Sequence, residues 1–372
     1  MAVTSLIYGL TMPLLALVLD RQGVDAKLIG LSAASQSFAV FAVAPIAPRL
    51  LRRWGPARLM LRCIVVNIIA FLMLPLFDSL YAWFPLRFVI GAAGSTLWIA
   101  GETWINQIAD ERSRGRLVGL YGAALSAGFA LGPLSLGLTG SEGWTPFLAA
   151  AGMMLISTGP LLLAYAVSPR VDGGPSGGLP SLLWAAPTAM LLNLVFAAAD
   201  GALLSFLPIY FVRLGFDEAN ALYLLAVLGA GGIASQYPIG WLGDHVDRRL
   251  ILIVCIASLI AGLALMPLAI GATPLDWLYV FLLGGVLGAL YNLGVVLLGE
   301  RFRGAELATA TTLFTVMWNL GSIAGPPLGG AGMAAFAPHG LPLTVAAMFA
   351  LYLPVPVIDH LRRKRRRKRG DT

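Results

Sequence analysis

Residues 240–249 read Gly-Trp-Leu-Gly-Asp-His-Val-Asp-Arg-Arg, and ionisable side chains crowd the second half of this stretch. An apolar run lies on each side of it, at residues 219–241 and 250–270. A helix that crosses the hydrocarbon core of a membrane needs about 20 apolar residues, and each run has that length. We therefore predict that residues 240–249 form a short polar loop between two membrane-spanning helices.

The composition of the whole chain supports the same class of protein. Of its 372 residues, 58% are hydrophobic and only 12% are charged, and the mean hydropathy is +0.83. Soluble domains average about a quarter charged residues. Twelve spanning helices would use about 240 residues, which leaves little for anything but loops and tails. The composition therefore predicts an integral membrane protein and excludes a fused soluble nucleotide-binding module.

Apolar runs bounded by charged or turn residues divide the chain into two series of six. They lie at residues 3–19, 28–48, 57–77, 80–105, 116–138, 144–167, 182–211, 219–241, 250–270, 276–299, 306–332 and 340–359. We predict an all-α membrane protein of twelve transmembrane helices in two pseudo-symmetric six-helix bundles. The bundles span residues 1–167 and 182–359, a cytoplasmic linker spans 168–181, and a basic tail spans 360–372.

The two series resemble each other at a nearly constant offset. Matches at 192 residues are Gly9 with Gly201, Arg21 with Arg213 and Cys63 with Cys255; GFALGP (128–133) matches GSIAGP (321–326) at 193, and Gly91 and Gly94 match Gly285 and Gly288 at 194. Parallel repeats of six helices are the signature of a large transporter fold.

The basic residues are concentrated on one side of the predicted membrane. Most of the 25 lysines and arginines lie in the loops after even-numbered helices, in the linker and in the tail, where residues 362–369 are all basic. By the positive-inside rule both termini are cytoplasmic, in a bacterial inner membrane. Because the basic run follows a membrane helix directly, we expect it to bind anionic lipid and not nucleic acid.

The loop at 240–249 resembles the G-x-L-a-D-r-x-G-R-R signature of the Major Facilitator Superfamily. Asp244, Arg248 and Arg249 match the signature, whereas Asp247 stands where the family has glycine. The stretch from Glu102 to Asn106 resembles the YcaD-like subgroup of that family. The resemblance implies two bundles around a central cavity lined by helices 1, 4, 7 and 10, with alternating access to the two sides of the membrane.

The family's loop aspartate is associated with a conformational gate, in which it contacts the N-terminus of a helix from the other half. Such a contact stabilises a carboxylate by about 0.3 to 1 kcal/mol. The equivalent loop between helices 2 and 3 has Arg52 at the aspartate position, followed by Arg53. Arg52 either forms a charge-reversed latch with Glu306 or only adds to the positive-inside bias. Glu102 either forms a structural salt bridge with Arg112, Arg114 or Arg116, which we favour, or contacts the substrate.

Helix 4 carries Arg87 and Gly91, which resemble the family's R-x-x-x-G motif associated with proton coupling. A bare cation within the hydrocarbon costs about 2.5 kcal/mol or more, so Arg87 should face a cavity or a partner. The alternative is that its long side chain reaches the membrane interface.

A G-x-x-x-G-P motif occurs in helix 5 and again in helix 11. It resembles a motif of the drug and proton antiporters of the family, but close helix packing alone is an equally good interpretation. Its residues are Gly128, Gly132 and Pro133 in the first copy and Gly321, Gly325 and Pro326 in the second.

Asp200 lies near the middle of helix 7, where desolvation would favour its protonated form. It is the candidate proton carrier together with Arg87, and the alternative is a structural hydrogen bond. Five further residues are candidates for the cavity lining, and they are Tyr8, Asn193, Trp98, Tyr291 and Asn292.

These features favour a proton-coupled secondary transporter of a small organic solute, neutral or amphiphilic, with a mild preference for efflux by antiport. The alternatives are a symporter for nutrient uptake and, in a different class, a lipid scramblase or a non-transporting sensor. The sequence has no motif for ATP-driven transport and no catalytic cluster, so we expect no enzyme activity, no cofactor and no metal. The expected form is a monomer whose partners are the solute, protons and membrane lipids.

Overall fold

The computed structural model describes residues 2–77, 79–108, 114–163, 186–271, 273–302 and 304–369. Within these ranges the regular structure is helical and there is no β-strand. The predicted linker, residues 168–181, lies outside the described residues. Ten helices in the described ranges are long and apolar enough to cross a membrane. The prediction of an all-α membrane protein is confirmed.

Each of the first eleven predicted runs corresponds to one helix of the described residues, and the twelfth, 340–359, corresponds to two. The helices are α1 (Ala2–Arg21), α2 (Ala26–Val43), α3 (Ala47–Met73), α4 (Leu80–Ile108), α5 (Arg114–Thr139), α6 (Thr145–Leu163), α7 (Pro187–Arg213), α8 (Glu218–His245), α9 (Arg248–Ala269), α10 (Leu275–Arg301), α11 (Gly304–Ala335), α12 (Gly340–Tyr352) and α13 (Pro354–Arg369). A short 3-10 helix, Leu74–Leu76, follows α3.

Some helix boundaries differ from the predicted ones for local reasons. Gly55, with φ +71°, is non-helical and makes a kink within α3; a further helical segment precedes it, so α3 begins ten residues earlier than the apolar run. The last run, predicted at 340–359, is divided at Pro354 into α12 and α13, and together they form one candidate membrane span, Gly340–Arg362. Helix α13 continues to Arg369, within the predicted basic tail.

The turn after α1 repeats after α7. Gly23 after α1 and Gly215 after α7 both have positive φ, +75° and +94°, and they are 192 residues apart. This conformation is accessible to glycine at little cost.

Asp247 caps α9, because its carboxylate accepts a hydrogen bond from the Arg249 amide at 2.9 Å. The residue that departs from the family signature therefore has a local structural role.

The chain forms two compact units. Unit 1 comprises Met1–Pro175 together with Asp217–Ala226, and unit 2 comprises Ser176–Phe216 and Val227–Thr372. The segment 217–226, predicted to belong to the second bundle, is grouped with unit 1. Within unit 1, Glu218 accepts a hydrogen bond from the Ser141 hydroxyl, and its carboxylate lies 3.7 Å from the Arg21 guanidinium.

In unit 1 the G-x-x-x-G-P motif packs α5 against α1. A Cβ atom at Gly132 would lie 2.6 Å from the Gly9 carbonyl carbon, and one at Gly9 would lie 2.8 Å from the Phe129 carbonyl oxygen. Both distances are too short for a side chain, so the two backbones touch because these residues are glycine.

Unit 2 uses the second copy of the motif in the same way. Side chains at Gly321 and Gly325 would overlap the carbonyl oxygens of Leu194 and Ala198, so α11 packs directly on the backbone of α7. A Cβ atom at Gly201 would lie 3.3 Å from the Pro326 ring. The motif therefore has a packing role in both halves, which is the alternative left open by the sequence.

A second pair of glycine contacts joins α4 to α2 and α10 to α8. We call the contact of Gly91 with Gln36 the α2–α4 joint, and the contact of Gly284 with Leu228 the α8–α10 joint. In each joint a Cβ atom on the glycine would overlap the carbonyl oxygen of the partner residue. These contacts show that Gly284, and not Gly285, is the structural equivalent of Gly91, so the offset in helix 4 is 193 and not 194.

Candidate functional site

Three half-buried aromatic side chains meet in unit 1, one from each of α1, α4 and α5. The ring of Tyr8 lies edge-on to Phe129, with centroids 5.9 Å apart, and Trp98 lies 6.5 Å from the same ring. We call these residues the N-terminal aromatic cluster. Tyr8 and Trp98 were predicted as cavity residues, whereas Phe129 was missed.

Unit 2 holds a matching cluster from α7, α10 and α11. Tyr291, which is 41% exposed, has ring centroids 5.6 Å from Phe196, 5.7 Å from Trp318 and 6.4 Å from Phe314. These four residues form the C-terminal aromatic cluster. Tyr291 was predicted, and it is 193 residues after Trp98, so the two predicted aromatics are equivalent in the repeat.

Phe129 and Trp318 could have been found from the glycine motifs. Phe129 lies inside the first motif, next to Gly128, and Trp318 lies three residues before Gly321. Residues three or four apart share one face of a helix, so Trp318 follows the packing face of α11.

Glu102 contacts Trp98 in the structure. The indole Nε1 of Trp98 donates a hydrogen bond of 2.8 Å to the Glu102 carboxylate, which is exposed. The side chains of residues 105–123, including the three arginines proposed as salt-bridge partners, lie outside the described residues. The described contact therefore connects Glu102 to the N-terminal aromatic cluster.

Asn193 bridges two helices within unit 2. Its side chain is 2% exposed and its Nδ2 donates a hydrogen bond of 2.6 Å to the Phe314 carbonyl, while its Oδ1 has no partner. This places Asn193 between α7 and α11, beside the C-terminal aromatic cluster. Asn292, the other amide candidate, is half-buried next to Tyr291 in the sequence of α10.

Asp200 is half-buried on α7, one residue before the contact of Gly201 with Pro326. Among the described residues its carboxylate has no hydrogen bond and no ion pair. A structural hydrogen bond, the alternative to a proton-carrying role, is therefore not present in the described part of the chain.

Arg87 is completely buried inside unit 1, with 0% exposure. Its Nη1 lies 3.4 Å from the Ser32 hydroxyl and its Nη2 lies 3.9 Å from the Met12 sulfur, and its Nε has no hydrogen-bond partner among the described residues. Both contacts are long for hydrogen bonds to a charged donor. Within the described ranges no carboxylate forms a salt bridge with this guanidinium.

The two copies of the signature loop differ in their ion pairs. In unit 2, Arg248 lies 2.6 Å from the Glu300 carboxylate, and Arg249 lies 2.8 Å from that of Asp359. In unit 1, Arg52 and Arg53 are exposed and make no ion pair with a described residue. The two arginines of the signature loop in unit 2 therefore form ion pairs with α10 and α13.

The predicted conformational gate stays a prediction. The side chain of Asp244 lies outside the described residues, so its contacts are not part of this structure. Glu306 is exposed in the first turn of α11. The latch between Arg52 and Glu306 stays a prediction.

Comparisons with known proteins agree with this architecture. The family model of the Major Facilitator Superfamily (MFS) matches residues 1–293. The chain is 25% identical over 343 residues to the uncharacterized MFS-type transporter YfkF of Bacillus subtilis (strain 168), covering 88% of this chain and 85% of that protein. It is 26% identical over 283 residues to the uncharacterized MFS-type transporter YcaD of Escherichia coli O45:K1, covering 75% and 73%.

Solved transporter structures have the same fold. A bacterial homologue of the human lysosomal transporter Spinster, in an inward-facing and unoccupied conformation, superposes with a TM-score of 0.77 at 15% identity, covering 95% of this chain and 92% of that chain. The nucleoside transporter NupG superposes with a TM-score of 0.72 at 16% identity, covering 97% and 96%. At these identities the likeness shows the fold alone.

Proposed function

The chain belongs to the Major Facilitator Superfamily of membrane transporters, and on this premise we propose that it carries a small organic solute by alternating access, driven by protons. Two kinds of feature support the proposal. Each unit has an aromatic cluster suited to an apolar or amphiphilic solute, and unit 2 has a carboxylate that is free to exchange a proton.

Asp200 is the observation that carries the proposed proton coupling. An ionised carboxylate within a membrane-spanning helix is expensive unless it is paired or hydrated. Asp200 has no hydrogen bond or ion pair to a described residue, so no neighbour in that part of the chain holds it in the charged form. It can therefore bind a proton when its surroundings are dry and release it when water reaches it.

Efflux by antiport is the preferred direction, and nutrient uptake is the alternative. The preference rests on the resemblance of the G-x-x-x-G-P motif to that of proton antiporters. Because both copies of the motif pack helices in the same way, the packing itself does not favour one direction.

The proposed location is the bacterial inner membrane, with both termini in the cytoplasm. The distribution of basic residues supports this orientation. Helix α13 carries the basic run 362–369, which suits binding to anionic lipid at about 1 kcal/mol per basic residue near the surface. The proposed form is a monomer.

Proton coupling is tested with purified protein in liposomes that contain a pH-sensitive dye. A solute that raises the melting temperature in a library screen is added to liposomes under an imposed pH gradient. We expect wild-type protein to dissipate the gradient with the solute and Asp200→Asn to exchange the solute without moving protons. Unchanged proton movement in Asp200→Asn would contradict the proposal, and lipid redistribution without solute flux would indicate a scramblase.

Asp217→Asn is the matched control. Asp217 is exposed in the turn before α8, and a hydrogen bond from the Asn220 backbone holds its pKa below the ordinary value. It therefore stays ionised in the working pH range and has no proton to carry. Its removal should leave proton-coupled transport unchanged.

A further inference from the structure

The buried guanidinium of Arg87 has far fewer contacts than its chemistry allows. Arginine has five N–H donors and no acceptor, and it stays protonated in proteins. Here the described contacts are a hydroxyl at 3.4 Å and a sulfur at 3.9 Å, and Nε has none. A buried cation without a counter-ion is strongly destabilising, and the described residues around Arg87 supply no anionic group.

The α2–α4 joint determines where this cation lies. Gly91 brings the backbone of α4 into contact with α2 at Gln36, and Arg87 lies one helical turn before Gly91. Ser32 lies one turn before Gln36 on α2, which is how its hydroxyl comes to face the guanidinium. The Gln36 side chain is 3% exposed and its Oε1 has no partner, so a second buried polar group at this joint is also unsatisfied.

Unit 2 provides an internal control for the structural role of this cluster. The α8–α10 joint has the same glycine-to-carbonyl contact, at Gly284 and Leu228. The residue four positions before Gly284 is Val280, which is 0% exposed, and Leu228 is 7% exposed. Aliphatic side chains therefore suffice for this joint, and the polar cluster of unit 1 is not needed for packing.

We propose that Arg87 binds an anionic group of the transported solute, so that the solute is an amphiphilic organic acid such as a carboxylate or a sulfonate. The inference deepens the proposed function and rests on it. A planar guanidinium binds such groups through two parallel hydrogen bonds, which would satisfy the donors left over in the structure. The contacts to Ser32 and Met12 are long, so the guanidinium can leave them at little cost.

The apolar part of the solute has a neighbouring surface in the same unit. Met12 contacts Arg87, and Tyr8 lies one helical turn earlier on α1. The Tyr8 ring in turn packs against Phe129 in the N-terminal aromatic cluster. An acid whose charged end binds Arg87 can therefore place its apolar body against Tyr8 and Phe129, which narrows the neutral or amphiphilic class expected from the sequence.

The test measures thermal unfolding of the purified full-length chain in detergent with three acids and their uncharged counterparts. The acids are benzoate, hexanoate and 1-naphthoate, and each is compared with its primary amide, which has nearly the same shape. Sodium chloride and sodium gluconate at equal ionic strength test an inorganic anion. The variants are Arg87→Gln, Arg87→Lys and, as a matched control, Arg49→Gln, which changes an exposed arginine on α3.

We expect at least one acid to raise the melting temperature saturably while its amide does not. Arg87→Gln should weaken the apparent affinity at least about tenfold, because a hydrogen-bonded charge partner is lost. Arg87→Lys should keep part of the effect, since a point charge remains without the bidentate geometry. Arg49→Gln should behave as wild type, because Arg49 is exposed and is not one of the predicted gate or cavity residues.

Four results would overturn the inference. They are no stabilisation by any of the three acids, equal stabilisation by acid and amide, undiminished acid binding in Arg87→Gln, and Arg87-dependent stabilisation by chloride as strong as that by the acids. If Arg87→Gln does not fold, Arg87→Lys and the comparison of each acid with its amide still test whether Arg87 binds the anionic group. Absence of acid binding with intact Asp200-dependent proton movement would refute the anion site alone, whereas acid binding without proton movement would refute the proposed coupling alone.

Discussion

In unit 1, Gly91 lets α4 touch the backbone of α2 at Gln36, and in unit 2, Gly284 lets α10 touch the backbone of α8 at Leu228. The two joints are equivalent in the repeat and have the same backbone contact. One helical turn before the glycine, however, unit 1 has the buried cation of Arg87 and unit 2 has the aliphatic Val280.

This difference distinguishes the residues that pack the helices from the residues that are available for chemistry. The glycines are repeated because both halves need the same close approach of helices, and the charged groups are not repeated because each half has its own task. The same holds for α1 and α7, where Tyr8 of unit 1 corresponds to Asp200 of unit 2 at the 192-residue offset. The unrepeated residues are therefore the best candidates for function.

The largest expected effect comes from making the α8–α10 joint as polar as its equivalent. Val280→Arg places an unpaired cation at a site with 0% exposure, which should cost about 3 to 5 kcal/mol and greatly lower the yield of folded protein. Val280→Met, which is long but uncharged, is the control and should melt near wild type. The effect is measured by the size-exclusion profile and the melting temperature. If Val280→Arg matched wild type in both, either joint would tolerate a buried cation.

A smaller effect is expected from adding one methyl group to each joint. Gly91→Ala and Gly284→Ala both drive a Cβ atom into a backbone carbonyl, and overpacking of this kind costs about 1 to 3 kcal/mol. The melting temperatures of the two variants should fall by similar amounts. Gly94→Ala on α4 meets nothing within 4 Å and should be neutral or slightly stabilising. Unequal losses at Gly91 and Gly284 would show that the joints are not equivalent.

The sequence predicted the helices well because a membrane helix satisfies its own backbone and reveals itself by composition alone. Its boundaries were less predictable, since they depend on single residues. Gly55 makes a kink within α3, and Pro354 separates α12 from α13. The repeat register in helix 4 was wrong by one residue, because Gly284 and Gly285 are adjacent and only the contact with Leu228 distinguishes them.

The candidate site was only partly predictable. Tyr8, Trp98 and Tyr291 stood out, but Phe129, Phe196 and Trp318 did not, because an aromatic residue in an apolar helix can equally face lipid or core. The sequence indicated that Arg87 needs a partner or a cavity. That its guanidinium has only long contacts became visible in the packing of α1, α2 and α4.

The melting temperature of Arg87→Met, compared with wild type in the absence of any solute, tests most directly whether the cation of unit 1 serves function and not structure. Replacing a buried ion by an apolar side chain of similar volume is often neutral or stabilises by about 1 to 4 kcal/mol. The account predicts a melting temperature equal to or above that of wild type, together with loss of acid binding. A clear fall in the melting temperature would show that Arg87 holds unit 1 together, and it would contradict the account.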